Sequence, residues 1–158
     1  MAGEALLAEM EALRDRVAGI TDTALATRDG LIIKADTVDV DPDNIAAMAA
    51  AMIGLARQMA IEAGRGTLHE AVARGSGGYV ATYAVGTSAL LVVVGDAGLD
   101  VTHLYRESRE TVEKLNQLIT GTDRRQRAGD ARNLPGRDLR RRDLRFEAGT
   151  YGLRPTPP

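Results

Sequence analysis

Apolar and polar positions along the first part of this chain switch repeatedly between helical and strand periodicity, with Gly, Pro and Asp at the switch points. From Gly3 to Val17, Leu6, Met10, Leu13 and Val17 recur at helical spacing, and Gly19 supplies a stop. Thr23 to Arg28 and Leu31 to Ala35 read as strands around Asp29-Gly30, a dipeptide suited to both left-handed positions of a tight two-residue hairpin turn. Asp41-Pro42-Asp43-Asn44 then offers an N-cap, a proline at the first helical position and negative charge facing the helix dipole. The helix it opens runs through Asn44 to Ile61 and stops at Gly64 or Gly66. Leu68 to Arg74 and Tyr79 to Val85 form a second hairpin across Gly75-Ser76-Gly77-Gly78. Ser88 to Gly95 follows Gly86-Thr87, and its run ALLVVV has no polar alternation, which predicts a central strand covered on both faces. Asp100 caps a last helix, with Val101, Leu104, Ser108, Thr111, Val112, Leu115, Leu118 and Ile119 on one face before Gly121. Its other face, Arg106, Glu107, Arg109, Glu110, Glu113 and Lys114, is solvated.

The predicted order is helix, two strands, helix, three strands, helix. No strand-helix-strand unit calls for a doubly wound parallel sheet. Two hairpins and a meander predict an α+β fold, a five-stranded antiparallel sheet with helices on both faces in an α/β/α sandwich.

The middle helix carries the main functional signal, because Arg57 is its only charge between Asn44 and Ile61. A helix that is apolar all round must be covered on both sides, and in a short chain a second copy is the simplest second cover. Ile45, Met48, Met52, Leu55 and Met59 form a bulky face, expected on the protein's own sheet. Ala46, Ala50, Ile53, Arg57 and Ile61, flanked by Ala47 and Gly54, form a shallow opposite face, expected on the twin. A lone guanidinium there must reach solvent at the rim or pair with an acid. A catalytic guanidinium that stabilises charge on a transferred phosphoryl group is the sharper but weaker alternative.

With 158 residues, one domain and one core are expected. The scarcity of aromatics makes that core aliphatic, and the absence of Cys excludes disulfides and thiolate metal sites. The start MAGEALLAEMEALRDRV is acidic and amphipathic, unlike a signal peptide. The apolar run Ile45 to Ala56 is shorter than the roughly 20 residues a membrane span needs, so a cytoplasmic protein without membrane insertion is expected. Net charge is −2, but residues 1–122 carry −7 and residues 123–158 carry +5. The second segment holds ten Arg and four of the five prolines, so 1–122 is expected to be the folded domain and 123–158 a mostly disordered tail. That tail is best read as a solvated tether. Its interleaved Asp130, Asp138, Asp143 and Glu147 weaken a nucleic-acid role, and its apolar face is too poor for a membrane surface.

Chemical motifs are weak. Gly75-Ser76-Gly77-Gly78 lacks the Lys and the strand-to-helix setting of a phosphate loop. His69 and His103 are not spaced as paired metal ligands. Asp36, Asp39, Asp41 and Asp43 alternate like a calcium loop but lack its central Gly and closing Glu. No catalytic, cofactor or metal site is expected, and an enzyme is the least favoured class.

The order of elements, the Asp29-Gly30 hairpin, the alanine-rich middle helix and the strand SALLVVVG leading into a capped helix together resemble the roadblock/dynein light chain family, in particular its bacterial members encoded beside small Ras-like GTPases. The resemblance covers about residues 3–120 and rests on pattern. It implies a profilin-like sandwich that homodimerises by packing the second helix on its twin and pairing the third strand edge to edge. That places Ala46, Ala47, Ala50, Ile53, Gly54, Arg57 and Ile61 at the helix contact. Leu68, His69, Glu70, Ala71, Val72, Ala73 and Arg74 fall at the strand contact. It further implies regulation or scaffolding of a small Ras-like GTPase in a bacterial signalling or polarity system, and leaves open whether a sensor-kinase-like protein joins the assembly. Two alternatives stand: a profilin-like small-ligand sensor, for which the Ala-rich core leaves little room, and a dimer that binds nucleic acid through its Arg-rich tail.

Overall fold

A computed structural model describes residues 1–132. The elements are α1 (Ala2–Arg16), β1 (Ile20–Thr27), β2 (Ile32–Asp36), α2 (Pro42–Glu62), β3 (Glu70–Gly75), β4 (Gly78–Val85), β5 (Ala89–Asp96) and α3 (Val101–Arg132). The five strands form one antiparallel sheet in the order β2-β1-β5-β4-β3. The ALLVVV strand is central, as its unbroken apolar run predicts: Val92 pairs with Ala24 on one side and Thr82 on the other.

The two faces of the sheet are packed very differently. On one, Leu6, Met10 and Leu13 of α1 and Leu104 and Leu115 of α3 meet Leu25, Tyr83, Leu91 and Val93 in the main core. Opposite lies α2, over a small cluster of Ala24, Ala49 and Val92 with Ile32, Ile45 and Val80 at its edge. Alternation along β1, β4 and β5 sorts their side chains between these two layers. Ion pairs from Arg14 to Asp36 at 2.9 Å and from Arg16 to Glu107 at 2.7 Å tie α1 to its neighbours. Both pairs are partly exposed, so each contributes about 0–1 kcal/mol.

Three local features differ from expectation. The β1–β2 turn is not the two-residue form, because Asp29 is not left-handed and only Gly30 has positive φ, at 89°. The Gly30 N–H donates to the Thr27 carbonyl and the Thr27 N–H to the Leu31 carbonyl, which makes a three-residue loop closed by a left-handed glycine. Asp29 instead accepts from the Thr27 hydroxyl. Next, α2 is 21 residues long, enough by length and composition to cross a bilayer. Here it is one layer of the sandwich: the Asp41 carboxylate accepts the Asn44 N–H at 3.0 Å at its start, and Ala46, Ala49 and Ile53 are buried beneath it. Finally, α3 does not stop before Gly121 but continues ten residues past Thr122 to Arg132, all of them polar or small and all exposed. Extending an existing helix avoids the cost of nucleation, and Arg, Gln and Ala are good helix formers. The rest of the expected tail lies outside the described residues.

Candidate interaction surface

The division expected along α2 is reversed in the structure for five of its residues. Ala46 and Ile53, assigned to the twin, are 0% and 2% exposed beneath their own helix. Met48, Leu55 and Met59, assigned to the sheet, are 61%, 66% and 64% exposed. With half-buried Met52 they form an unbroken stripe at positions i, i+4, i+7 and i+11. Of the bulky face, only Ile45 packs against the small cluster as expected. The cause is distance. A Cβ placed on Gly30 would lie 2.9 Å from the Ala47 Cα and 3.3 Å from the Ala50 Cβ, so the β1–β2 turn rests directly on the helix. Only small residues fit there, and Ala46, Ala49 and Ala50 therefore lie towards the sheet while Ala47 stays exposed at the turn. Ala47 and Ala50 make room for the hairpin.

The remaining expected contact residues fall into two groups. Arg57, Ile61 and Leu68 line one surface hollow with Gly64, Gly66 and Thr67, where α2 hands over to β3. Arg57 is half-buried and, among the described residues, makes no ion pair. Gly54 is half-buried with open space around its α-carbon, and Ile61 is exposed.

The second group is β3, the last strand of the sheet, whose outer edge pairs with no strand among the described residues. Its pairing with β4 sets Glu70 opposite Tyr83, Val72 opposite Ala81 and Arg74 opposite Tyr79. These three side chains share the face of the main core, while Ala71 and Ala73 point to the α2 side. His69 is exposed just before the strand, and its carbonyl accepts the Ala84 N–H. Burial pushes the Glu70 carboxyl above its ordinary range, an effect partly offset by the charge on His69. The strand begins two residues later than Leu68, so Leu68 and His69 belong to the connection rather than to the ladder.

The motifs weighed for metal or phosphate chemistry have structural partners. Gly75 pairs with Gly78 around a two-residue hairpin turn. Asp36 faces Arg14, and Asp41 caps α2. An acid that sequence patterning did not single out, Asp22, organises the loop between β2 and α2. It is buried and accepts the Val38 N–H at 2.7 Å and the Asp39 N–H at 3.2 Å. Burial alone raises its pKa, but these donors, together with the Thr21 hydroxyl and the Val40 N–H, outweigh it and hold the group below its ordinary value.

Residues 6–95 match the Roadblock/LC7 domain family. The chain belongs to this family. Among solved structures it is similar to a Roadblock/LC7 domain from Streptomyces avermitilis, at 24% identity and a TM-score of 0.66, covering 71% of this chain and 95% of that one. The gliding protein MglB from Thermus thermophilus shares 18% identity with a TM-score of 0.68, over 75% of this chain and 90% of its own. An MglB in a tetrameric arrangement matches at 18% and 0.69, over 75% and 90%. No curated protein matches the chain. The shared architecture is the three-helix roadblock fold around a five-stranded antiparallel sheet.

Proposed function

We propose that this roadblock module is a homodimeric regulator or scaffold of a small Ras-like GTPase in the cytoplasm, within a bacterial signalling or polarity system. One observation carries the dimer: the stripe of Met48, Leu55 and Met59, exposed on a fold whose other large apolar side chains are mostly covered. A contiguous apolar face of this kind is what association surfaces present. The open edge of β3 adds main-chain donors and acceptors that a second copy can pair with across a two-fold axis. Family membership and the likeness to MglB, a gliding protein also solved as a tetramer, support both self-association and a regulatory role. In this reading Ala46 and Ile53 lie behind the interface, while Gly54, Arg57, Ile61 and the edge from Ala71 to Arg74 remain within reach of it.

The mechanism is surface recognition. The dimer presents a continuous sheet-and-helix face to the GTPase switch segments and stabilises one of their conformations, shifting hydrolysis or exchange. Arg57 is assigned to the dimer rim, beside Ile61 and Leu68. Nothing in the fold or in the comparisons favours a sensor-kinase-like partner.

Sedimentation velocity of the full chain, alone and with a candidate GTPase encoded nearby, tests the proposal. A dimer at micromolar concentration that binds the GTPase and changes its turnover is expected. A clean monomer that leaves turnover unaltered overturns it. If Arg57→Ala keeps the dimer but abolishes stimulation, the residue is an arginine finger instead.

A further inference from the structure

On the sheet face opposite α2, the helix layer ends before the sheet does. Val72 and Arg74 of β3 are exposed there. Under the margin of α3 lies a cavity of about 250 Å³, lined among others by Glu70, Tyr83, Tyr105, Ser108, Arg109 and Val112. It sits at the rim of the main core, away from the Ala-rich side where a ligand has no room.

Its polar groups are poorly satisfied by the protein itself. Tyr83 is only 5% exposed, and its Oη is buried without a hydrogen-bond partner among the described residues. Ser108, on the same wall, donates its own proton to the Tyr105 carbonyl at 3.1 Å, and its hydroxyl offsets only part of the effect of burial on the Tyr83 phenol. Glu70, the cross-strand neighbour of Tyr83, places a half-buried carboxylate on the same wall. Across the cavity, the Arg109 guanidinium lies 6.0 Å from the centre of the Tyr105 ring. Among the described residues neither Glu70 nor Arg109 forms an ion pair. Two opposite charges and a buried hydroxyl thus line one small space without pairing directly, with the exposed His69 imidazole beside Glu70 on the same wall.

We propose that this cavity binds a small zwitterion of the α-amino-acid class. The ammonium group donates to the Glu70 carboxylate and to Tyr83 Oη, which are adjacent across the β3–β4 ladder. The carboxylate is held by Arg109, and the apolar part of the ligand lies against Val112 and the Tyr105 ring. A simple cation would meet the repulsion of Arg109, and a simple anion that of Glu70. The size agrees, since sites for drug-sized ligands span roughly 300–1,000 Å³ and this one is smaller. Glu70 lies on the sheet face rather than along the strand edge, so its carboxylate takes no part in main-chain pairing of β3 with a second copy. The inference does not depend on the GTPase proposal.

Titration of the ¹⁵N-labelled full chain with each of the twenty standard amino acids, to about 10 mM, provides the test. Saturable shifts of the Glu70, Tyr83 and Arg109 amides are expected for at least one of them. The corresponding amine without the carboxylate, and acid without the ammonium, should each bind about tenfold or more weakly. Glu70→Gln and Arg109→Gln should each weaken binding by a similar factor, with Tyr83→Phe weakening it several-fold. No saturable shift with any amino acid overturns the proposal. So does equal binding of the amine or the acid, or binding unaltered by Arg109→Gln, whose exposed side chain can be changed without loss of the fold.

Discussion

Leu55 is the sharpest place to test the interface, because it is 66% exposed in the isolated chain and central in the stripe on α2. Fully burying a leucine side chain stabilises by about 1.5–3 kcal/mol, so covering the exposed two thirds contributes about 1–2 kcal/mol. A two-fold interface contains the residue twice, and Leu55→Ala should therefore weaken the dimer by about 2–4 kcal/mol. That corresponds to a rise in dissociation constant of about 30- to 700-fold. The measurement is sedimentation equilibrium of wild type and variant over a wide range of concentration, with circular dichroism confirming that the variant keeps its helix content. Because Leu55 touches little within its own chain, the fold itself should be unaffected. Equal dissociation constants for the two proteins would refute the placement of the interface on this stripe. A collapse of the helix signal would refute the claim that Leu55 is dispensable to the fold.

Asp22→Asn should destabilise the fold by about 1.5–3 kcal/mol, since a charged acceptor for the Val38 and Asp39 amides is lost. The folded pKa of Asp22 is depressed below 3.8, so its contribution is complete above that value and is lost as pH falls through the folded pKa. Urea denaturation between neutral pH and pH 2 should show this acid limb in wild type and a weaker one in the variant. Tyr83 behaves oppositely: burial, aided by the charge on Glu70 and partly offset by Ser108, pushes its pKa from 10.0 to about 12. Stability tied to the neutral phenol is full below pH 10 and declines as pH rises towards 12, and Tyr83→Phe should remove that decline in thermal melts. Gly30→Ala should cost more than about 1 kcal/mol, because the new Cβ meets Ala47 at 2.9 Å on a backbone with φ of 89°. A melting temperature within error of wild type would contradict the close seating of the turn on α2.

Much of the architecture could be read from the chain, because its signals are local. Asp41-Pro42 marks the start of α2 through cap chemistry, and the ALLVVV run identifies β5 as central through the lack of a polar face. The sorting of α2 could not be read this way. Both of its faces are apolar, and the choice between them rests on how closely Gly30 approaches Ala47 and Ala50, residues distant in sequence. A rule that bulky residues point inward fails when the inner gap is too narrow to hold them. The α3 extension was obscured by composition, since DRRQRAGDAR offers nothing to a core yet continues a helix already nucleated. The cavity draws on β3, β4 and α3 at once, and Arg109 sits in a stretch that reads as simply solvated. A carboxylate on the inward-facing register of an edge strand, Glu70, was the one hint of it available beforehand.

The ten residues that α3 adds beyond Thr122 span about 15 Å, and they carry four Arg against two Asp. The body they leave behind, residues 1–122, is strongly acidic at −7. A molecule that is close to neutral in total is therefore electrically bipolar, with a positive arm projecting from a negative body. In the field of a charged partner such an object experiences a torque before it touches anything, and it arrives already turned. The bias should fade over a few tenths molar salt as the screening length shrinks to a few ångströms. Angular selection during approach would thus be a property of helix length, set by residues that bury nothing.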